Sequence, residues 1–222
     1  MTRLEHAIER IEKARIAYDR HQIVRLVAIS KYATVAQIEA LYHEGQRAFG
    51  ENKVQDFELK AAALETLPIE WHFVGTVQTN KINKLIALAP ALVHSIDSIE
   101  TAKAFDQRLQ REGKTQRALL QINSAREATK SGVDPDRAEE TYRQILSECP
   151  ALKLEGVMTI GAHTGDRAVI QKSFETTFGI FDRLKNAGAV TCSMGMSGDY
   201  ELAIACGANL LRLGSVLFDD AA

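Results

Sequence analysis

The 222 residues suffice for one large α/β domain, which at this length buries roughly 70% of the surface its unfolded chain exposes and needs no covalent staple. With 45% hydrophobic and 25% charged residues, 14 Gly and 4 Pro, the composition excludes a disordered or fibrous chain. A formal charge of −2 supplies no cationic field to draw the protein to nucleic acid or anionic lipid, and Cys149, Cys192 and Cys206, odd in number and lacking a CxxC pair, argue against a disulfide framework and a zinc site.

Leu4, Ile8, Ile11, Arg15 and Tyr18 recur at three- and four-residue spacing in a charged stretch, which predicts an amphipathic helix within residues 1–20. The segment reads as neither signal peptide nor membrane anchor, so the cytoplasm is the expected address. Ile23 to Ser30 is a β-branched apolar run, as expected of a strand covered on both faces. There follow helix Val35 to Glu44, strand Ala48 to Gly50, helix Lys53 to Leu67, strand Ile69 to Val74, helix Thr79 to Ala89 and strand Leu92 to Ile96. The second half predicts helix Ile99 to Arg111, strand Arg117 to Ile122, helix Asp136 to Ser147, strand Leu152 to Met158 and helix Arg167 to Asn186. Strand Val190 to Met194, helix Asp199 to Cys206 and strand Leu210 to Leu213 complete it.

Strands alternating with helices pair in parallel, and eight such units favour closure into a (β/α)8 TIM-type barrel. A doubly wound open sheet is the alternative; against it, no GxGxxG follows the first strand and no shift of composition divides the chain. A single barrel domain over residues 1–222, with the opening helix packed on it, is the expectation.

Reactive groups in such a barrel project from the C-terminal ends of its strands. Lys31 stands at the end of the first strand, where an apolar surround would favour a neutral, nucleophilic amine; a lysine reaching for solvent is the other reading. Gly195-Met196-Ser197-Gly198-Asp199 follows strand seven and Arg212-Leu213-Gly214-Ser215 closes strand eight. Either loop by itself reads rather as a turn with an N-cap, but small residues and hydroxyls at helix starts after both of these strands together describe a phosphate cup. Arg212 has the parity of Leu210 and Gly214 and is expected to face the barrel mouth. Against a pyridine nitrogen a guanidinium only donates, leaving that nitrogen unprotonated; an ion pair with Glu201 or Asp219 is the alternative.

Ala28-Ile29-Ser30-Lys31, Phe49-Gly50-Glu51-Asn52, Trp71-His72-Phe73-Val74-Gly75 with Gln78-Thr79-Asn80-Lys81, His94-Ser95-Ile96-Asp97, Gln121-Ile122-Asn123, Lys130-Ser131-Gly132, Gly156-Val157-Met158-Thr159-Ile160, Gly195-Met196-Ser197 and Arg212-Leu213-Gly214-Ser215 together resemble the YggS-type pyridoxal phosphate homeostasis proteins. Thr76-Val77, where Pro-Leu is commoner, and Gly161 to Gly165 depart from that pattern. The resemblance implies an alanine-racemase-like barrel that carries pyridoxal 5′-phosphate on Lys31 through a Schiff base. It implies that Ser197, Gly214 and Ser215 hold the phosphate, that Arg212 meets the pyridine nitrogen and that Asn52 lies near the ring. His72 and Met196 carry over as residues supporting the site, and Thr79 reads as a helix N-cap.

The same resemblance implies a role in vitamin B6 and amino-acid balance as a carrier or buffer of the cofactor, with transient transfer to apo-enzymes, rather than robust catalysis. A weak racemase-like enzyme is the alternative, since no tyrosine is an obvious second base: Tyr32 should point to the other face of the strand from Lys31. A Schiff-base aldolase, with Glu51 as its acid, is a third class. A monomer without nucleic-acid, membrane or metal partners is expected.

Overall fold

A computed structural model describes residues 1–127 and 129–218. Eight strands, β1 (Arg25–Ile29), β2 (Ala48–Glu51), β3 (Glu70–Phe73), β4 (Leu92–Ile96), β5 (Gln116–Gln121), β6 (Leu152–Met158), β7 (Thr191–Ser193) and β8 (Leu210–Leu213), form a closed barrel in chain order. Every pair is parallel, and β1 closes on β8 with Arg25 opposite Leu210 and Ala28 opposite Leu213. The open-sheet alternative is thereby set aside.

Helices α1 (Arg3–Tyr18), α2 (Val35–His43), α3 (Val54–Ala63), α4 (Ile82–Leu88), α5 (Ile99–Arg111), α6 (Ala138–Glu148), α7 (Arg167–Leu184) and α8 (Tyr200–Ala205) accompany the strands. Thr2 and Thr34 open α1 and α2 with capping boxes, each hydroxyl taking the N–H of the third helical residue while Glu5 or Gln37 reaches back. Thr79 does not act as a cap. It opens a 3₁₀ turn, Thr79–Lys81, and neither that turn nor α4 has a side-chain cap. Leu4, Ala7 and Ile11 of α1 are buried, α1 packs on α8, and an Arg10–Glu201 ion pair of 2.9 Å joins the two helices. Among the described residues no helix is long and apolar enough to cross a membrane.

The core has two parts. One large cluster fills the space between strands and helices; a second, comprising Val27, Leu92, Leu119, Met158 and Leu210 with Ile29 and Ala48 against it, is distinct from it and plugs the barrel, as the layered interior of this fold requires. Gly156 sits at φ +154°, and a Cβ there would lie 1.9 Å from the carbonyl oxygen of Thr191, so β6 approaches β7 only with glycine at this position. Strands β1, β3 and β7 are shorter than their predicted runs, and β2 is one residue longer. β1 stops at Ile29 because Ser30 turns, its carbonyl accepting from Ala33 N–H at 2.8 Å.

Candidate functional site

The C-terminal ends of the strands open onto a cavity of about 1290 Å3. Lys31, Asn52, Met196, Ser197, Arg212, Gly214 and Ser215 all border it, so loops distant in sequence converge on one mouth.

Lys31 follows the first strand by two residues, and its place is set by the residue before it. Ser30 N–H donates to Gly50 O at 3.0 Å, Ser30 Oγ donates to Glu51 Oε1 at 2.6 Å, and Lys60 Nζ spans Ser30 O (2.6 Å) and Glu51 Oε1 (2.8 Å). Glu51 is fully buried in this arrangement and does not border the cavity, so the acid that an aldolase would need beside Lys31 is absent from that position. Lys31 itself is exposed, with Nζ 4.7 Å above the ring centroid of Tyr32. The apolar surround expected around its amine is not present, because the apolar alternation ends with β1 at Ile29. For the same reason Tyr32 does not turn away: it borders the same cavity.

Gly195, at φ +94°, bends the chain after β7; a Cβ there would stand 2.6 Å from Ala203 Cβ. Asp199 Oδ1 takes the Met196 N–H at 2.6 Å, and Met196 O accepts from the N–H groups of Asp199 and Tyr200, each at 3.0 Å. Burial raises the Asp199 carboxyl above its ordinary value, opposed by the Met196 N–H and by Arg212. Ser197 Oγ accepts the Gly214 N–H at 3.1 Å. The N–H groups of Ser197, Gly198 and Ser215 donate to no acceptor among the described residues. All three residues border the cavity, where free backbone donors are available to an anion. After β8 the chain makes a turn, with Leu217 and Phe218 N–H donating to Gly214 O, rather than the helix expected there within the described residues.

Arg212 forms part of the floor and is 5% exposed. Its Nη1 donates to Ser193 Oγ at 2.6 Å and its Nη2 to Thr159 O at 2.7 Å. Burial pulls the guanidinium down to about 10, with Asp199 opposing, so it stays charged at neutral pH. The alternative ion pair is not formed with Glu201, which partners Arg10; Asp219 lies outside the described residues.

His72 does not border the cavity. It lies buried inside the barrel, Nδ1 2.8 Å from His94 Nε2 and Nε2 3.2 Å from Glu70 Oε1, while His94 Nδ1 is 3.2 Å from Ser193 Oγ. Roles for His94 and Ser193 were not apparent from the sequence; the available signal was parity, since His94 stands two residues from the interior Leu92 on β4. Chemically, the cavity offers donors for an anion at the ends of β7 and β8, a fixed cation for a heteroaromatic acceptor and a primary amine for a carbonyl. Among the described residues no group of three or more His, Cys, Asp or Glu is gathered as for a metal ion.

Residues 3–221 match the alanine racemase N-terminal domain family. The chain is 56% identical to the pyridoxal phosphate homeostasis protein of Helicobacter pylori strain J99, covering 98% of this chain and 97% of that one. The structure of PipY from Synechococcus elongatus with pyridoxal phosphate bound superposes with a TM-score of 0.79 at 33% identity, over 92% of this chain and 98% of that one. An alanine racemase of Clostridium difficile shares the fold, with a TM-score of 0.76 at 14% identity, and this chain spans 58% of it.

Proposed function

The chain belongs to the alanine racemase N-terminal domain family and, within it, to the pyridoxal phosphate homeostasis proteins, and on that footing we propose that it binds pyridoxal 5′-phosphate and serves as an intracellular carrier or buffer of that cofactor. One observation carries the reading: the Lys31 amine, the Arg212 guanidinium and the unpaired N–H groups of Ser197, Gly198 and Ser215 all meet in a single cavity. That donor set fits a phosphorylated heteroaromatic aldehyde.

When bound, pyridoxal phosphate supplies an aldehyde that condenses reversibly with a primary amine. Lys31 provides that amine and thereby the covalent attachment point. Ser197 and Ser215 hold the phosphate with hydroxyl and backbone donors, and Gly214, whose N–H is taken by Ser197 Oγ, keeps the turn open beside them. Arg212 donates to the ring nitrogen and, having no proton to spare at neutral pH, leaves it unprotonated, which weakens the ring as an electron sink. Asn52 borders the ring position, and Met196 and His72 support the loop and the floor.

Transport rather than turnover is favoured because, among the described residues bordering the cavity, there is no carboxylate and no histidine, and a placed acid/base contributes typically 10²–10⁴-fold. Tyr32, beside Lys31 at the mouth, favours a second reading, a slow racemase-like activity on amino acids. Transient partners in the first reading are cytoplasmic apo-enzymes, met by a monomer.

The test is the visible spectrum of the purified protein, followed by borohydride reduction, peptide mass mapping and transfer to a purified apo-enzyme. A yellow protein that reduces to a pyridoxyl-phosphate adduct on Lys31 and reactivates the apo-enzyme stoichiometrically supports the proposal. A colourless protein that takes up no pyridoxal phosphate ends it, and a coloured one that racemises an amino acid without transfer selects the second reading.

A further inference from the structure

The barrel interior holds a continuous polar path where the fold calls for apolar layers. Arg212, at the cavity floor, is followed by Ser193 (2.6 Å), His94 (3.2 Å), His72 (2.8 Å) and Glu70 (3.2 Å). Ser193, His94 and His72 are buried, while the Glu70 side chain, at the opposite end of the barrel, is 48% exposed.

The direction of the protons in this path follows from its two ends taken together. A guanidinium donates and never accepts, so Ser193 Oγ accepts from Arg212; a carboxylate only accepts, so a path with one proton per bond that ends on Glu70 has Ser193 turn its own proton onward to His94 Nδ1. His94 then carries its proton on Nε2 and donates to His72 Nδ1. His72 in turn carries its proton on Nε2 and donates to the Glu70 carboxylate. The chain begins on a cation and ends on an anion, an arrangement in which each bond polarises the next. It also meets a need of the site, because Arg212, although buried, has no ion-pair partner among the described residues. Burial, with His72, Arg212 and Arg25 nearby, holds His94 well below the ordinary histidine value and hence neutral. The His72 contact lowers Glu70, which Arg117 and Arg25 also face.

We propose that Ser193, His94, His72 and Glu70 form a directed hydrogen-bond relay that fixes the donors of Arg212 toward the cavity, making His94 and His72 positioning residues for the ring nitrogen of the bound cofactor. The part concerning the cofactor rests on the function proposed above. Relay and packing differ in one respect: in a relay, a change at the solvent end is felt at the cavity end.

Histidine 15N–1H correlation spectra of the full chain, recorded without cofactor, test the relay itself. Both buried rings should appear as Nε2–H tautomers, with His94 neutral at neutral pH. Glu70→Gln, which keeps an acceptor oxygen, should preserve both tautomers. Glu70→Ala should shift population at His94 toward Nδ1–H and, in the loaded protein, speed release of pyridoxal phosphate about threefold, the size of a fraction of one hydrogen bond. An Nδ1–H tautomer at either ring in the parent overturns the relay, and so does a Glu70→Ala variant whose His94 signals and release rate match the parent. Failure of the parent to take up pyridoxal phosphate refutes the functional reading instead, while the tautomers still decide whether the relay exists.

Discussion

Ser197 accepts the backbone N–H of Gly214 through its hydroxyl, at 3.1 Å, and so ties the loop after β7 to the turn after β8. The same hydroxyl borders the cavity. Ser197→Ala removes the tie and one donor for an anion, each worth about 1 kcal/mol. The expected result is roughly tenfold weaker binding of pyridoxal phosphate with a fall in melting temperature of only about 2–4 °C, read by a fluorescence titration beside a thermal scan. Unchanged affinity would move the phosphate away from this loop.

Lys31 is exposed, and its side chain makes no hydrogen bond with the described residues. Lys31→Ala should therefore leave stability within about 0.5 kcal/mol of the parent while abolishing the borohydride-trapped adduct, as measured by denaturant unfolding and intact mass. Loss of folding would give Lys31 a structural role that its exposure does not suggest.

Beneath it, Lys60 and Glu51 form a pair whose side chains are 12% and 0% exposed. Lys60→Met strands the Glu51 carboxylate, which already has one buried oxygen without a partner. Breaking one side of a buried pair costs about 3–5 kcal/mol, and Ser30 O loses a donor as well. The unfolding midpoint in urea should fall accordingly. A Glu51→Gln/Lys60→Met double variant should recover part of the loss, because no unpaired charge then remains inside.

The three thiols give a pH prediction. Burial pushes Cys149 and Cys206 up to about 11 and Cys192 up to about 12, from an ordinary value of 9.0. At pH 8 the native thiolate fraction is thus about one in a thousand or less, and since the thiolate is the nucleophile, all three should resist alkylation until the protein unfolds. Above pH 9 the unfolded chain releases thiol protons that the folded chain keeps, so stability falls as pH rises. Arg212, held near 10 when folded, acts in the opposite sense above that pH, which makes the window from pH 9 to 10 the cleanest. Denaturant titrations at the two pH values should show the decline, and rising stability across that window would contradict the burial of these thiols.

The alternation of strands and helices was legible in the sequence, since apolar runs such as Leu152–Met158 and the periodicity of α1 report burial directly. That Ser197, Arg212 and Gly214 gather at the ends of the last two strands was legible from the order of the elements, and all three border the one cavity. Two features were not. The exposure of Lys31 depends on where β1 stops, and that is set by a turn at Ser30 and by contacts to Gly50, Glu51 and Lys60, twenty to thirty residues away. The histidine pair was hidden because His72 and His94 sit on separate strands whose register alone brings their rings together.

Strand β7 is three residues long, and its described register to β8 is a single pair, Ser193 opposite Leu210. This is the thinnest seam of the barrel wall, and the loops that continue past it are the ones proposed above to hold the phosphate. A ligand gripped by both loops would act as a clasp, lending the wall a bond that the strands themselves supply sparingly. Loading and mechanical integrity are then one property: the empty barrel should breathe first between β7 and β8, and the filled one should show its largest gain in amide-exchange protection there.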